Sequence, residues 1–372
     1  MKKARSARKL PSALGYRMPA EWERHESTWL AWPHLKGDWP GKFEPIPWVY
    51  AEIIRNLACH ERVDLIVNSE RAEKSARAVL EQADALSDNV CFHRWRTDRL
   101  WTRDSGCIFL APPAERRHED HADSGRLALH FQFNGWAKYS NYKLDEKIGA
   151  RMAKAAGARV VRPVFVDPFK EDHRVVLEGG SIDVNGCGIL LATEECLLSA
   201  TQQRNPPMDR AAYEQLFADY FGAPSVIWLE SGIAGDDTHG HVDDITRFVA
   251  PNTVVTMVEP NEQSENYAPL YANLGRLRNA RTADGQKLEI IEIPMPRPVV
   301  FEGRQLPASY ANFYIANGVV LVPVFNDPND RIALNTLAEL FPAREIVPIY
   351  CGDLIWGFGA LHCMTQQQPV NT

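Results

Sequence analysis

Three stretches in the second half of the chain share one pattern of apolar and polar positions: two β-rich runs joined by a short polar turn, then an amphipathic helix. The turns fall at Asn185-Gly186, Pro251-Asn252 and Asn317-Gly318, so they are almost evenly spaced. Asn-Gly pairs favour tight hairpin turns because both residues tolerate positive φ. The pattern therefore predicts a hairpin followed by a helix in each stretch.

The predicted elements of these stretches are the strands 181–184, 188–191, 246–249, 254–258, 312–315 and 319–322 and the helices 209–221, 268–277 and 331–340. Earlier in the chain, the same reasoning predicts a helix at 49–57 and strands at 62–67, 108–110 and 174–177. Repetition at a nearly fixed period is typical of modules packed around a common axis. Hairpins that recur by chance in an α+β protein would give the same pattern. The pattern alone leaves both arrangements open.

No Gly/Ser-rich linker divides the chain, so the sequence predicts a single domain over 13–372 after a flexible basic tail over 1–12. The charged stretch 113–126 lacks apolar periodicity and is predicted to be an exposed loop. A hydrophobic fraction of 45% and a charged fraction of 24% are typical of a globular protein.

The net charge and the apolar runs of the sequence limit the kinds of partner that the protein can have. A net charge of −7 and a pI near 5.9 argue against a nucleic-acid partner and suit a cationic small molecule, although acidity also serves solubility alone. No run of apolar residues has the length of a signal peptide or a membrane span, so no membrane partner is expected.

The seven scattered cysteines include no CxxC pair, which favours a reducing cytoplasm over disulfides or a zinc ribbon. The sequence leaves a homo-oligomer open.

Cys363 follows a stretch that contains glycine, GFGALHC at 357–363. Small residues let the backbone approach a ligand closely. A thiolate there can attack an electrophilic carbon if a histidine or a cationic substrate lowers the pKa of the thiol. A free cysteine is more often a small buried apolar side chain, so this motif alone does not establish a nucleophile.

The segment 235–244 (GDDTHGHVDD) concentrates two histidines and four carboxylates ahead of a predicted strand. Three interpretations compete. The segment is a solvated acidic loop, or a metal site made of His239, His241 and Asp243 or Asp244, or a general acid/base histidine beside a cation-binding carboxylate. The local HxHxD spacing does not decide between them.

Two further carboxylates lie near predicted strands. Glu178 follows the run 174–177 and precedes two glycines, and Asp104 lies in WTRDSG at 101–106. If 101–106 is extended, alternation places Trp101 and Asp104 on opposite sides. A surface acid at a turn and a salt-bridged aspartate are the ordinary alternatives.

A thiol, a histidine and several carboxylates are the groups that guanidine hydrolysis requires. A guanidinium is planar and cationic, so two carboxylates can bind its N–H groups and hold its carbon in front of a thiolate. A histidine can then protonate the departing ammonia and later deprotonate the water that hydrolyses the covalent intermediate. This chemistry requires no metal and no other cofactor.

Taken together, the motifs resemble the agmatine deiminase and bacterial peptidyl-arginine deiminase family of the guanidino-group-modifying superfamily. The resemblance extends over nearly the whole chain. It is carried by MPAEWE at 18–23, TWLAWP at 28–33, WTRDSG at 101–106, FNGW at 133–136, LEGGSI at 177–182, TEECLL at 193–198, GHVD at 240–243, NFYIANG at 312–318 and HCMTQQQP at 362–369.

The resemblance implies an α/β fold, a five-bladed pseudo-symmetric propeller (pentein-like) of ββαβ modules around a central active site. It also implies a role for each matched residue: the nucleophile Cys363, the general acid/base His241, the guanidinium-binding carboxylates Asp104 and Asp243, Glu178 in contact with both guanidinium and histidine, and Trp101 on the pocket wall. His239 and His362 inherit no catalytic role from the match.

Departures from the family pattern fall where the rest of a substrate would lie. The approach to the nucleophile reads GFGALHC rather than AGGNIHC or GGGNIHC, and the segment before His241 is one residue shorter, with His239 in place of Asn. The stretch 137–142 reads AKYSNY, and Cys107 replaces the usual proline. The residues that would handle the guanidine are unchanged.

The resemblance therefore predicts hydrolysis of agmatine, or a similar small cationic guanidino substrate, to N-carbamoylputrescine or the corresponding ureido product and ammonia. The absence of any arginine evidently placed to receive a carboxylate also favours agmatine. The main alternative is deimination of peptidyl-arginine or free arginine to citrulline. A metal-dependent hydrolase and a non-catalytic guanidine-binding protein are further alternatives.

Overall fold

The computed structural model describes residues 10–113, 125–167, 169, 171–282 and 285–371. Most of the predicted basic tail (1–12) and most of the predicted exposed loop (113–126) therefore lie outside the described residues. Within the described ranges, no helix has the length and apolar character that a membrane span needs.

The strands of the described residues are β1 (His25–Ala31), β2 (Arg62–Val67), β3 (Val90–Arg94), β4 (Ile108–Leu110), β5 (Leu127–Leu129), β6 (Arg159–Val161), β7 (Val164–Val166), β8 (Asp172–Arg174), β9 (Asp183–Val184), β10 (Ile189–Thr193), β11 (Ser225–Leu229), β12 (Thr246–Ala250), β13 (Thr253–Val258), β14 (Glu289–Pro294), β15 (Val299–Phe301), β16 (Arg304–Leu306), β17 (Tyr314–Ile315), β18 (Val319–Val324), β19 (Glu345–Tyr350) and β20 (Gln366–Pro369). The α-helices are α1 (Ile46–Ala58), α2 (Glu70–Gln82), α3 (Thr102–Ser105), α4 (Ile148–Ala155), α5 (Glu194–Leu198), α6 (Arg210–Phe221), α7 (Tyr267–Asn279), α8 (Asp330–Leu340) and α9 (Leu361–Met364).

Five sheets in the described part of the chain share one strand plan. In each, one strand pairs antiparallel with one neighbour and parallel with the other, as β5 does with β4 and β6. The other sheets with this plan are β9-β10-β11, β12-β13-β14, β17-β18-β19 and β20-β1-β2-β3. Parallel neighbours require a crossover connection, and here it contains α4, α6, α7, α8 or α1. Because β20 pairs with β1, the fifth module combines a strand from the C-terminal part of the chain with strands from the N-terminal part.

Helix α6 shows how the local sequence sets the ends of these connecting helices. The Asp209 side chain accepts a hydrogen bond from the Ala212 amide (2.9 Å) and so caps the first turn. Gly222 adopts the left-handed conformation that ends the helix, with φ of +66°. The buried face between these ends follows helical spacing and comprises Tyr213, Leu216, Phe217, Tyr220 and Phe221.

The predicted hairpins and helices of the three repeated stretches are confirmed, with ends that differ by a few residues. The strands β2 and β4 have their predicted bounds. The strand predicted at 174–177 is wrong beyond Arg174, apart from a single bridge at Val176. The reason is that the Asn205 side chain bonds both the amide (2.9 Å) and the carbonyl (2.7 Å) of Val176, in place of a neighbouring strand.

Apolar side chains fill the space between the sheets and their helices. One cluster of buried residues lies around β1, β2 and α1, a second around β13, α7 and α8, and a third around β10 and α6. Charged side chains are also buried, and burial of a charge is costly unless it is paired or used. Several of them meet where the five modules begin.

Candidate active site

A short helical turn precedes the first strand of every module. The five turns are Thr102–Ser105, Gly179–Ser181, Val242–Asp244, Tyr310–Asn312 and Leu361–Met364. Each turn contacts the next along the chain, and the fifth contacts the first. The predicted site residues lie in or directly beside four of these turns, so the repeat brings together side chains that are far apart in sequence.

The first turn, α3, carries Asp104, and here the sequence-based expectation of an extended segment is wrong. In a helical turn, residues three apart share a face. Trp101 and Asp104 therefore line one pocket together, whereas Arg103 points away and donates to Glu21 (3.2 Å) and Gln367 (2.6 Å). Trp101 thus lies on the pocket wall, where the family resemblance placed it.

Asp104 is held by donors from two other parts of the chain. Its Oδ1 accepts a hydrogen bond from the Gly180 amide (3.0 Å), and its Oδ2 accepts one from the Trp136 indole (2.8 Å). Burial raises the pKa of Asp104, and the charge of His241 only partly offsets this effect. A cation in the pocket would favour the ionised form of Asp104.

His241 is fully buried among carboxylates without a hydrogen bond to any of them. Its Nε2 lies 3.7 Å from Glu178 Oε2, and its Nδ1 lies 3.9 Å from Asp104 Oδ2 and 3.9 Å from Asp243 Oδ1. Within the described residues, neither ring nitrogen has a hydrogen-bond partner. Burial lowers the pKa of His241, but the charge of Asp104 and contacts with Cys196 and Glu178 outweigh it, so the pKa lies well above its ordinary value. The imidazole is therefore able to carry a proton.

Glu178 is the fully ionised partner of a second buried cation. Arg204 Nε lies 3.1 Å from Glu178 Oε1 and 3.3 Å from Oε2, and both side chains are inaccessible to solvent. Burial raises the pKa of Glu178, but the charges of Arg204 and His241 outweigh it and lower the pKa to about 2. Sequence reasoning did not identify Arg204.

Asp243 faces the thiol with one oxygen and the histidine with the other. Its Oδ2 lies 3.7 Å from Cys363 Sγ and 2.7 Å from His362 Nδ1. Its Oδ1 is buried and has no hydrogen-bond partner among the described residues. A buried carboxylate oxygen without a partner is costly, so Oδ1 is suited to accept from a bound N–H group.

The Cys363 thiol is buried next to an amide that sequence reasoning missed. Asn312 Nδ2 lies 3.1 Å from Cys363 Sγ, and Asn312 Oδ1 accepts from the Cys363 amide (3.3 Å). Burial raises the pKa of the thiol, and the charges of Asp243, Asp244 and Asp104 raise it further. A cation bound between those carboxylates would offset the effect and favour the thiolate. The NFYIANG motif was the signal for Asn312, although no role was assigned to it.

The loop before the nucleophile fits closely around the pocket. A Cβ on Gly359 would lie 2.6 Å from the Trp101 ring and 3.1 Å from Cys363 Cβ, so only glycine fits between them. Phe358 adopts a left-handed conformation, with φ of +65°, that costs free energy for a non-glycine residue. The Phe358 side chain lines the pocket, so this departure from the family pattern contributes a wall.

The mouth of the same pocket contains an ion-pair cluster around Asp237. The Asp237 carboxylate accepts hydrogen bonds from Lys138, Tyr139 and Arg304 (3.0 Å for Arg304). The Arg304 guanidinium also lies 4.2 Å from the Phe358 ring. Asp237 is therefore already neutralised, and Arg304 brings a cation to the pocket that the sequence did not indicate.

The metal site considered from the HxHxD spacing does not form. His239 turns away from His241, and its ring nitrogens lie 3.2 Å from Ser199 Oγ and 3.6 Å from Glu195 Oε1. His239 has a positive φ, and Gly240 follows in the same conformation, so the chain reverses between the two histidines. The side chains that converge are Asp104, Glu178, His241, Asp243 and Cys363, with Asn312 in addition.

The chain belongs to the family of Porphyromonas-type peptidyl-arginine deiminases, whose family model matches residues 17–369. An agmatine deiminase from Pseudomonas aeruginosa (strain LESB58) is 33% identical to it, over 96% of this chain and 97% of the relative.

Two solved structures are also similar over nearly their whole length. The agmatine deiminase of Enterococcus faecalis is 27% identical, with a TM-score of 0.87 over 99% of this chain and 100% of that chain. The agmatine deiminase of C. jejuni with substrate bound is 29% identical, with a TM-score of 0.80 over 95% of this chain and 96% of that chain.

Proposed function

We propose that this protein is a cysteine-dependent guanidine deiminase. The observation that carries the proposal is a set of buried polar atoms around one thiol that have no hydrogen-bond partner among the described residues: Asp243 Oδ1 and both ring nitrogens of His241, beside Cys363 Sγ. A planar cation with several N–H groups would donate to Asp243 Oδ1, and its departing nitrogen would accept a proton from His241. Asp104 and Asp243 bind the guanidinium, and Glu178 holds His241 and the guanidinium in register.

The reaction proceeds in two steps. The Cys363 thiolate forms a C–S bond to the guanidinium carbon, the C–N bond then breaks, and ammonia leaves with a proton from His241. Water next adds to the carbon of the covalent amidino intermediate and gives a proton to His241. The C–S bond breaks, and the ureido product leaves as the thiolate reforms. No step requires a metal or another cofactor.

Agmatine is the first candidate substrate, and N-carbamoylputrescine and ammonia are then the products. The support is the similarity to relatives named agmatine deiminases, which covers nearly the whole chain. The same residues would act on any similar small cationic guanidino compound.

A second candidate, free arginine or a peptidyl-arginine that yields citrulline, is favoured by the pocket mouth. Lys138 and Arg304 share the single carboxylate of Asp237, so the cluster carries an excess positive charge. That charge attracts the carboxylate of a substrate and repels the ammonium group of agmatine. The guanidine-handling end of the pocket is common to both candidates.

The decisive experiment measures ammonia release from agmatine, free arginine and an arginyl peptide by the purified protein and by its Cys363→Ala variant. Release from at least one guanidine that disappears in the variant supports the proposal. Tight guanidine binding without ammonia release at any pH would favour a non-catalytic binding protein instead.

We further propose that the modules form a five-bladed, pseudo-symmetric α/β propeller (pentein-like) within a single domain over 13–372. The five equivalent sheets and the closed series of turns support this arrangement. The seven cysteines are unpaired, which supports a cytoplasmic location. A small-molecule partner, no nucleic acid, no membrane and an open choice between monomer and homo-oligomer complete the proposal.

A further inference from the structure

His362 precedes the nucleophile in sequence, and its side chain lies behind the pocket rather than in it. Its Nδ1 lies 2.7 Å from Asp243 Oδ2, and its Nε2 lies 2.8 Å from Glu21 Oε2. The side chain is only 3% exposed. His362 thus forms a buried bridge between a site carboxylate and a carboxylate outside the site.

An imidazole ring has a nitrogen on each of two sides, so His362 can contact two carboxylates at once. Burial raises the pKa of Glu21, but Arg247, His362 and Arg103 outweigh it, and the pKa of Glu21 lies well below its ordinary value. Burial raises the pKa of Asp243 as well, but His362 and His241 outweigh it and the net shift is downward. Both carboxylates are therefore ionised, and each lies within hydrogen-bond distance of one ring nitrogen of His362.

Glu21 is a fixed anchor for this bridge. Its carboxylate accepts hydrogen bonds from Arg103 (3.2 Å) and from the Ile315 amide (2.8 Å), and it pairs with Arg247 (2.9 Å). These partners come from three separate parts of the chain. Because Glu21 has no freedom to rotate, the ring of His362 is held in one orientation.

The bridge has two consequences for Asp243. It occupies Oδ2 and leaves Oδ1 as the free oxygen, 3.9 Å from His241 Nδ1. It also places an imidazole ring next to the oxygen that lies 3.7 Å from Cys363 Sγ. Without His362, the carboxylate could rotate, and its full charge would face the thiol.

We propose that His362 and Glu21 form a positioning pair that fixes Asp243 with one oxygen free for the cationic group of the substrate. The inference rests on the proposed function, since it concerns the same guanidinium-binding carboxylate. His362 does not touch the substrate and is a positioning residue, not a catalytic one. Its removal should therefore weaken recognition of cations more than it weakens the thiol itself.

The test compares alkylation of Cys363 by chloroacetamidine, which is cationic, and by chloroacetamide, which is neutral and similar in shape. Wild-type protein should react faster with the cation. In His362→Leu, we expect the ratio of the two rates to fall about 10- to 100-fold, the range for loss of a charged hydrogen-bond partner. His362→Gln keeps one N–H donor, so its rate ratio should lie between those of the wild-type protein and His362→Leu. In both variants, the KM for the guanidine substrate should rise by a larger factor than kcat falls.

The matched control is His93→Gln. His93 forms a similar pair with Asp64 (2.8 Å) outside the pocket, so this variant should leave the ratio unchanged. A folded His362→Gln or His362→Leu variant with the wild-type ratio would overturn the positioning role while leaving the proposed function intact. Equal rates for the two reagents in wild-type protein would mean that the site carboxylates do not bind the cationic group, and this would overturn both the proposed function and the positioning role.

Discussion

A Cβ atom on Gly180 would lie 2.6 Å from Nδ1 of His241, closer than real Cβ atoms approach any heavy atom. The same Cβ would lie 2.9 Å from Asp243 Oδ2 and 3.1 Å from Asp104 Oδ1. The second glycine of LEGG is therefore required because three site residues close over its backbone, which also donates to Asp104 (3.0 Å).

Gly180→Ala should lower kcat/KM for the guanidine substrate at least about 100-fold, because a misplacement of about 1 Å in a site has this effect. The overpacking should also lower the free energy of unfolding by about 1–3 kcal/mol. Steady-state kinetics and urea denaturation measure the two effects. Gly275→Ala is the control, since a Cβ there meets nothing within 4 Å and lies in helix α7. Wild-type activity in Gly180→Ala would contradict this account of the turn.

Cys363→Ala should abolish ammonia release, and a metal chelator should leave the wild-type rate unchanged. The reason is that the proposed route passes through a C–S bond and not through a metal-bound water. Mass spectrometry of wild-type protein quenched with substrate should detect the covalent intermediate on Cys363. Turnover that survives in Cys363→Ala and stops with chelator would favour a metal-dependent hydrolase.

Asp244→Asn should make the thiol more reactive at lower pH. Burial and the charges of Asp243, Asp244 and Asp104 raise the pKa of Cys363, so the thiolate fraction of the free protein grows as pH rises toward that pKa. Burial and the charge of Asp243 raise the pKa of Asp244 well above its ordinary value, so Asp244, like the thiol, ionises only as pH rises. Once ionised, Asp244 opposes the thiolate, so its removal should move the pH profile of iodoacetamide alkylation down by about 1 pH unit. The Asn side chain keeps an acceptor for Asn312 (3.0 Å in the wild type). The exposed Glu262→Gln serves as the control, and an upward shift in Asp244→Asn would refute the charge argument.

Arg204→Met should destabilise the protein by about 3–5 kcal/mol, because it leaves the charge of Glu178 buried without its partner. In the wild type, the lowered pKa of Glu178 stabilises the fold above pH 4.5, and this contribution disappears as pH falls toward about 2. The pKa difference corresponds to about 3 kcal/mol. In the variant, the pKa of Glu178 rises, so this contribution should shrink and stability should fall less on acidification. Urea denaturation between pH 3 and 7 measures both effects.

The exposed pair of Arg278 and Glu292 provides the comparison for that experiment. Arg278→Met should change the free energy of unfolding by less than about 1 kcal/mol, as is usual for surface ion pairs. Equal effects of the two substitutions would mean that burial does not set the strength of the Arg204 pair.

Arg304→Gln should change the preference between substrates. Loss of this cation leaves Lys138 and Tyr139 as the donors to Asp237 and removes the excess positive charge of the mouth. The ratio of kcat/KM for agmatine to that for arginine should therefore rise about 10-fold, the size expected of one charged contact. Arg297→Gln, at an exposed ion pair with Asp327, should leave the ratio unchanged. A fall of the ratio in Arg304→Gln would mean that Arg304 assists the ammonium-bearing substrate.

The sequence predicted what depends on short-range pattern and could not predict what depends on long-range contact. The Asn-Gly turns and amphipathic helices were predictable because turn chemistry and helical spacing are local. The helical turn at Asp104 was not, because its Trp101 and Thr102 are fixed by contacts with the segment around Cys363. Likewise, 174–177 has a strand-like composition, but Asn205 bonds both the amide and the carbonyl of Val176.

The same distinction applies to the candidate site. The family motifs named Cys363, His241, Glu178, Asp104, Asp243 and Trp101, and the structure places all six around one pocket or directly behind its wall. Asn312, Arg204 and His362 could not be ranked from sequence, because their importance lies in which atom they bond. Arg304 could not be identified for a different reason: it lies in the β15-β16 hairpin, which the repeated pattern does not include.

The five turns supply different functional groups to one pocket. Each module delivers one short segment to the same place, and one segment supplies a thiol, another an amide and the others acids with a base beside them. No single turn carries all of these groups, so the chemistry exists only where the five turns meet. A substitution that displaces one turn should therefore also disturb the side chains that the neighbouring turns deliver.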